Sequence, residues 1–402
     1  MTTRPTPRQL FCALCCASAL AAWSDEGPDF ANWLAGFRRE ALARGISQAT
    51  LDAALADARP LPEVLERDQF QPEFIQTFWT YLDKRLSPWR IERGQALLKE
   101  HQKTLLEQAQ ARYGVPPGVL VAFWGLETNY GAYLGDFPIP AALATLAFDT
   151  RRSDFFRREL LQSLRIIEAG HVAAADMKGS WAGAMGQVQF MPSTYLRYAV
   201  DGDGDGHKNL WTSLPDAFHS AANFLHELGW RPGETWGREV RLPAGFDWES
   251  AQPQVKKTVA AWARLGVTQA DGSPLPASDL AGAILLPQGH AGPAFLVYRN
   301  FEVIMGWNRS PKYALAVAHL SDRLLGLPEL RNGREADDRP LSREQAMEMQ
   351  QLLAARGLDV GEADGLPGAR TRLAIRAWQK SAGLPVDGYA SVGLLEQLRA
   401  AP

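Results

Sequence analysis

The stretch Val119–Gly131, VLVAFWGLETNYG, decides how this chain is read. Val119 to Leu126 holds seven apolar residues and one glycine, and a single carboxylate, Glu127, follows directly. Pro116-Pro117 is a favoured helix entry, and Gly131 is a natural residue just past a helix end. The pattern predicts a buried helix with a lone Glu on its last turn. The negative end of the helix dipole and the apolar wall of Phe123, Trp124 and Leu126 both disfavour an ionised carboxyl there. A carboxylic acid still protonated near neutral pH is what a glycosidic oxygen needs in order to leave. A Glu pointing outward from a helix end is the competing reading, so the neighbouring blocks must decide.

Working outward, 402 residues suffice for two or three domains, and 46% hydrophobic with 22% charged residues is ordinary for globular protein. A formal charge of −3 from 42 basic and 45 acidic residues excludes the electrostatic footprint of a nucleic-acid binder. Arg4 and Arg8 precede an apolar run, Leu10–Ala22, with A-x-A cleavage patterns, so residues 1–22 read as a secretory signal peptide. All three cysteines (Cys12, Cys15, Cys16) lie inside it, and the mature chain would form no disulfide. Cys15 follows Leu14 rather than a small residue, which favours a soluble exported form over a lipid-anchored one. Nothing after residue 30 is long and apolar enough to cross a bilayer.

Helical periodicity runs from Phe30 to about Arg112, with one helix over Ile91–Tyr113 ending at Gly114. Beyond Glu127, the block Lys178–Tyr195 carries Gly179, Ala182, Gly183 and Ala184, which let backbone approach a ligand closely. Ser180 and Gln189 are its candidate substrate contacts; close helix packing through small residues is the alternative. Asp201–Thr212, DGDGDGHKNLWT, reads as an EF-hand-like calcium loop. Asp201, Asp203 and Asp205 occupy positions 1, 3 and 5, Gly206 the sharp turn, and His207 the position that offers a backbone carbonyl. Position 12 is Thr212 instead of a bidentate Glu; Asp216 is a candidate replacement, although Ser213 and Asp216 also form a capping box. Such a loop is expected to be structural, since carboxylates held by an ion cannot serve as acid catalysts.

Residues 231–290 change to Pro, Gly and short β-prone runs such as Glu239–Leu242 and Ala283–Leu286, the signature of a small sheet-containing insertion. Asn300, Trp307, Asn308 and Tyr313 then supply amides and aromatic faces suited to sugars, with helix capping as the rival role for Asn308. A polar linker, 328–340, leads to a module at 341–400 with three amphipathic helices. Two turns, Ala363-Asp364-Gly365 and Val386-Asp387-Gly388, give that module a weak internal repeat.

Taken in order, GLETNYG (Gly125–Gly131), ALATLAFD (Ala142–Asp149), GAMGQVQFMPSTY (Gly183–Tyr195), DGDGDGHKNLW (Asp201–Trp211), AANFLHELGW (Ala221–Trp230) and NFEVIMGWNRSPKY (Asn300–Tyr313) resemble the lytic murein transglycosylase B family. Residues 341–398 resemble a three-helix peptidoglycan-binding domain through MQQLLAARGL, ADGLPGARTRLAIRAWQ and GLPVDG. The resemblance implies a mainly α (α+β) protein. A lysozyme-like catalytic domain would span about 25–327, exported to the periplasm and acting on peptidoglycan glycan strands, with wall-synthesis proteins as compatible partners. It implies cleavage of the MurNAc–GlcNAc bond without water to a 1,6-anhydromuramoyl end, with Glu127 as the single acid and base. These blocks offer no obvious second acid to complete the usual glycosidase pair. The likeness places Ser180, Gln189, Asn308 and Tyr313 at substrate contacts, with Trp307 able to stack. It places Asp201, Asp203, Asp205, His207 and Asp216 at a calcium site. Departures are Phe224 and Trp307, each replacing a family tyrosine and its hydroxyl, and an extra residue between Trp211 and Asp216. Two alternatives stay open: a hydrolase whose water is positioned by Gln187 or Gln189, and a non-catalytic wall-binding scaffold.

Overall fold

The computed structural model describes residues 27–69, 76–149, 152–334 and 339–401. The signal peptide read at 1–22 lies outside them. The first helices are α1 (Gly27–Ala43), α2 (Gln48–Leu55), α3 (Pro62–Gln69) and α4 (Phe78–Arg85). Ser47 and Thr77 cap α2 and α4 with side-chain oxygens that accept backbone N–H groups. The long helix expected over Ile91–Tyr113 is interrupted: α5 (Pro88–His101) passes through a π-helical segment, Gln102–Leu106, into α6 (Glu107–Tyr113). Gly114, at φ +75°, ends it as predicted.

α7 (Pro117–Thr128) is the central element. Gly118 through Leu126 and Thr128 are buried, and its contacts are α5, α6, α11 (Leu214–Glu227) and α14 (Pro311–Leu324). An all-round apolar helix has to lie inside, and each large side chain buried there contributes roughly 1.5–3 kcal/mol. Glu127 is its half-exposed exception. Around it run α8 (Ile139–Phe148), α9 (Ser153–Glu168), α10 (Pro192–Tyr198) and α13 (Arg299–Trp307). A two-stranded pair, β1 (Phe137–Pro138) and β2 (Lys178–Gly179), brings the small-residue block alongside the segment that follows α7. That approach is close: a Cβ on Gly135 would sit 2.2 Å from the Gly179 carbonyl.

The insertion expected over 231–290 runs on to Val297 and forms a five-stranded antiparallel sheet in the order β4 (Lys257–Thr258), β6 (Ala281–Leu285), β7 (Ala294–Val297), β3 (Gly237–Arg241), β5 (Thr268–Gln269). Its own core holds Val240, Phe246, Ile284, Leu296 and Trp262, the last carried on α12 (Val259–Arg264). The C-terminal module comprises α15 (Arg343–Ala355), α16 (Ala369–Ser381) and α17 (Val392–Ala400) around Met349, Leu353, Ile375, Trp378 and Leu395. Its weak repeat has a physical basis. Buried Gln350 donates to Asp364 and accepts from Gly365 N–H, and buried Gln379 does the same with Asp387 and Gly388.

Residues 328–334 are not a free spacer. Arg331 and Asn332 donate backbone N–H groups to Glu239, Gly333 accepts from the Trp79 indole, and Arg334 pairs with Asp83. The module in turn rests on the insertion through Arg376, which donates to the carbonyl of Ala251, and Asp387, which accepts from His290 N–H.

Candidate active site and metal loop

The last turn of α7 delivers the one partly exposed carboxylate of that helix into an aromatic setting. The Trp307 indole N–H donates to Glu127 Oε1 at 2.9 Å, and the Tyr313 hydroxyl donates to the same oxygen. Trp307 ends α13, and Tyr313 lies in the first turn of α14, where Ser310 caps the helix by accepting from Tyr313 N–H. Burial, followed by the neighbouring Glu127 charge and hydrogen bond, pushes the Tyr313 phenol well above its ordinary range, so it stays a donor. Trp307, expected from the sequence as a stacking ring, also brings its N–H to the carboxylate. Its ring lies 4.2 Å from Phe123 and 5.2 Å from both Phe190 and Phe224 between centroids. Phe224 serves as part of that aromatic platform.

The turn after Glu127 is built to hold it still. Asn129, Tyr130 and Gly131 all have left-handed backbone, at φ 54°, 61° and 79°. A β-carbon-bearing residue there costs energy that its surroundings must repay. Tyr130 donates its hydroxyl to Arg90 O at 2.7 Å, and Arg90 donates to the Asn129 side chain at 3.0 Å. The Tyr130 ring fits only because both helices beneath it carry glycine. A Cβ on Gly125 would stand 2.6 Å from the ring, and one on Gly94 2.2 Å from its hydroxyl. Thr128 adds two bonds, accepting from Gly131 N–H and donating to Gln187 O. Tyr130 and Gln187 carry this support without any local sequence signal beyond the glycine after N-Y.

The other predicted contacts are placed as follows. Ser180 accepts the Ala184 N–H at 3.0 Å, shaping the small-residue turn. Gln189, left-handed at φ 49°, donates its amide to Leu134 O and Gly186 O. Exposed Asn308 accepts Ser310 N–H in a tight turn just before α14, whose cap is Ser310. Asn300 is fully buried and donates to the carbonyls of Arg231 and Glu234, so it is a framework residue. Two exposed aromatic rings beside the α7 end were not singled out from the sequence: Tyr133, and Trp89, which faces Tyr130.

At 201–212 the carboxylates of Asp201, Asp203 and Asp205 bring ligand atoms within 4.8 Å of one another. Backbone N–H groups of Gly204 and Gly206 donate to Asp201, that of Asp205 to Asp203, and that of His207 to Asp205. The Gly206 bond, first among several, holds the Asp201 carboxyl below its usual range. Convergent hard oxygens on a preshaped loop fit a divalent cation such as calcium. Asp216 lies near this cluster but is not one of the three whose ligand atoms converge. It is fully buried and its two oxygens accept Gly202 N–H and Asn209 N–H, so it ties both ends of the loop. Burial, with Asp203 and Asp201 nearby, pushes its carboxyl up. The capping bond from Ser213 is also present.

A helical body centred on one buried helix, a single carboxylate at its end and a docked helical module define a lysozyme-like glycan-cleaving architecture. Residues 29–322 match the family model described as transglycosylase SLT domain, and 342–398 match a peptidoglycan binding domain model. The chain therefore belongs to the transglycosylase SLT family, the lytic transglycosylases of peptidoglycan. It is 34% identical over 296 residues to membrane-bound lytic murein transglycosylase B of Escherichia coli (strain K12), spanning 71% of this chain and 78% of the relative. It is also similar to SltB3 of Pseudomonas aeruginosa, solved in complex with NAG-anhNAM-pentapeptide. The TM-score is 0.89 and the identity 47%, over 92% of this chain and 99% of that one. Escherichia coli Slt35, solved in complex with calcium, aligns with TM-score 0.63 and 30% identity over 75% of this chain and 94% of that one.

Proposed function

We propose that the protein cleaves the MurNAc–GlcNAc β-1,4 bond of peptidoglycan without water, and that Glu127 performs both proton transfers. The observation that carries this reading is the convergence of Trp307 and Tyr313 on Oε1 of Glu127. An oxygen accepting from two donors is a poor place for a proton, so Oε2 carries the acid proton toward the substrate. That proton passes to the glycosidic oxygen as the C1–O bond breaks, and the bonding pair leaves with GlcNAc. The substrate's acetamido group stabilises the positive charge at C1. The carboxylate, held by its two donors, then takes the proton from the C6 hydroxyl as that oxygen bonds to C1. The acid form is restored and no water is consumed. An NAG-anhNAM complex of the similar SltB3 agrees with such a product.

The hydrolytic alternative needs a side chain free to hold water. Gln187 is engaged at both amide atoms, with Trp124 and Trp211, and the Gln189 amide N–H groups are engaged with backbone. Trp307 and Tyr313 act first as orienting donors, and Ser180, Gln189 and Asn308 line the glycan path; the exposed faces of Tyr133 and Trp89 extend it. Asp201, Asp203, Asp205 and the His207 carbonyl would hold calcium as a structural ion. Residues 25–327, 328–340 and 341–400 serve as catalytic body, connector and wall-binding module. Residues 1–22 direct export to the periplasm. Replacing Glu127 by Gln tests the assignment: murein solubilisation should fall at least a thousandfold with the fold intact. Unchanged solubilisation would remove Glu127 from catalysis and favour a scaffold.

A further inference from the structure

We propose that Gln187 is a positioning residue that fixes the aim of Glu127 by gripping α7 on both sides of it; this rests on the catalytic reading of Glu127. Its side-chain oxygen accepts the Trp124 indole N–H at 2.7 Å, three residues before Glu127. Its backbone carbonyl accepts the Thr128 hydroxyl at 2.8 Å, one residue after. The far side of the clamp is anchored: Gln187 Nε2 donates to Trp211 O at 2.9 Å, and its backbone N–H donates to Leu210 O at 2.7 Å. The amide orientation is chemically unambiguous, because an indole N–H only donates and a carbonyl only accepts. Only glutamine, with an acceptor and a donor on one planar group at this reach, satisfies both.

The contact is also tight enough to exclude slack. A Cβ on Gly131 would lie 2.5 Å from the Gln187 side-chain oxygen. Trp124 in turn packs edge-on against Tyr130 and Phe218, so the grip extends to the left-handed turn that ends the helix. Two bonds from one residue thus bracket the carboxylate without touching it, and two more anchor that residue from behind. A displacement of about 1 Å at a reacting group costs on the order of a hundredfold in rate, so the clamp belongs to catalysis rather than to binding.

The test uses the full chain with purified murein, below the melting temperature of every variant. Gln187→Met, of similar length, should lower kcat about 10- to 100-fold and leave KM within twofold. Because Gln187 acts through Trp124, the double variant Gln187→Met with Trp124→Phe should be no slower than the slower single variant. Should Gln187→Met fail to fold, Gln187→Glu replaces it: one oxygen keeps Trp124 while the other opposes Trp211 O, and the same kcat loss is expected. A kcat within twofold of the unsubstituted protein would overturn the proposal. So would a rise in KM at unchanged kcat, which marks a substrate contact, or losses that multiply in the double variant. Glu127→Gln run in parallel keeps the outcomes separate: its inactivity with a fully active Gln187→Met refutes the clamp alone.

Discussion

Gly125→Ala is a substitution for which local propensity and tertiary structure predict opposite signs. In a helix interior, alanine in place of glycine is worth about 1 kcal/mol in favour of the fold. Here the added Cβ would meet two Tyr130 ring carbons at 2.6 and 2.7 Å and the Tyr130 hydroxyl oxygen at 2.8 Å. The ring cannot retreat, because Gly94 bounds it on the other side. Overpacking of this kind costs about 1–3 kcal/mol, and losing the Tyr130–Arg90 hydrogen bond about 1 kcal/mol more. The net effect is a destabilisation of about 1–3 kcal/mol, read as a Tm lower by several degrees, at about 2–4 °C per kcal/mol. Activity should fall further than stability, since Glu127 lies two residues on. Gly36→Ala in α1, where a Cβ finds only Arg39 Nη2 at 3.9 Å, should instead gain about 0.5–1 kcal/mol. Thermal unfolding of the two variants with murein digestion measures both effects. A Gly125→Ala protein as stable and active as the parent would refute the argument that Tyr130 is seated between two glycines.

Trp307→Phe keeps a ring against Phe123, Phe190 and Phe224 but removes one donor from Glu127; activity should drop about tenfold, and the alkaline limb of the pH–rate profile should move to higher pH, because a lost donor disfavours the carboxylate. Burial raises Asp322 to about 6 and lowers His319 to about 4. Asp322 then binds its proton more tightly folded than unfolded, so its contribution is lost as pH rises from about 4 to 6. His319 binds its proton less tightly folded, so its contribution grows from about pH 4 to 6.5. The two oppose each other; urea unfolding of Asp322→Asn should show stability rising by roughly 3 kcal/mol across that window, and of His319→Gln falling by roughly as much. Calcium should raise the Tm of the parent, and Asp203→Ala should lose that response while keeping the calcium-free Tm. Asp216→Ala should lower the calcium-free Tm itself by unpinning Gly202 and Asn209.

The fold was most legible where chemistry is local. The apolar run before Glu127, the proline entries and the glycine stops specify α7, and the aspartate spacing specifies the loop at 201–212. The insertion strands were legible as β-prone runs, but their order was not, because β7 pairs on one side with nearby β6 and on the other with β3, far earlier in the chain. The site was legible as a list of residues rather than as roles. Trp307 reads as a stacking ring, and only the fold brings its N–H to a carboxylate 180 positions away. Gln187 looks like one more amide in a polar block until Trp124 and Trp211 are found at its two ends. Asn300 has the composition of a sugar contact, and burial makes it a structural brace. Asp216 fits a metal motif by spacing, while its oxygens are used on the loop backbone.

The central claim is that one carboxylate and the substrate's own hydroxyl replace water. Digestion of murein in heavy-oxygen water, read by mass spectrometry, tests it most directly. The expected products are 1,6-anhydromuramoyl ends carrying no solvent oxygen. Reducing MurNAc ends labelled with one heavy oxygen would contradict it.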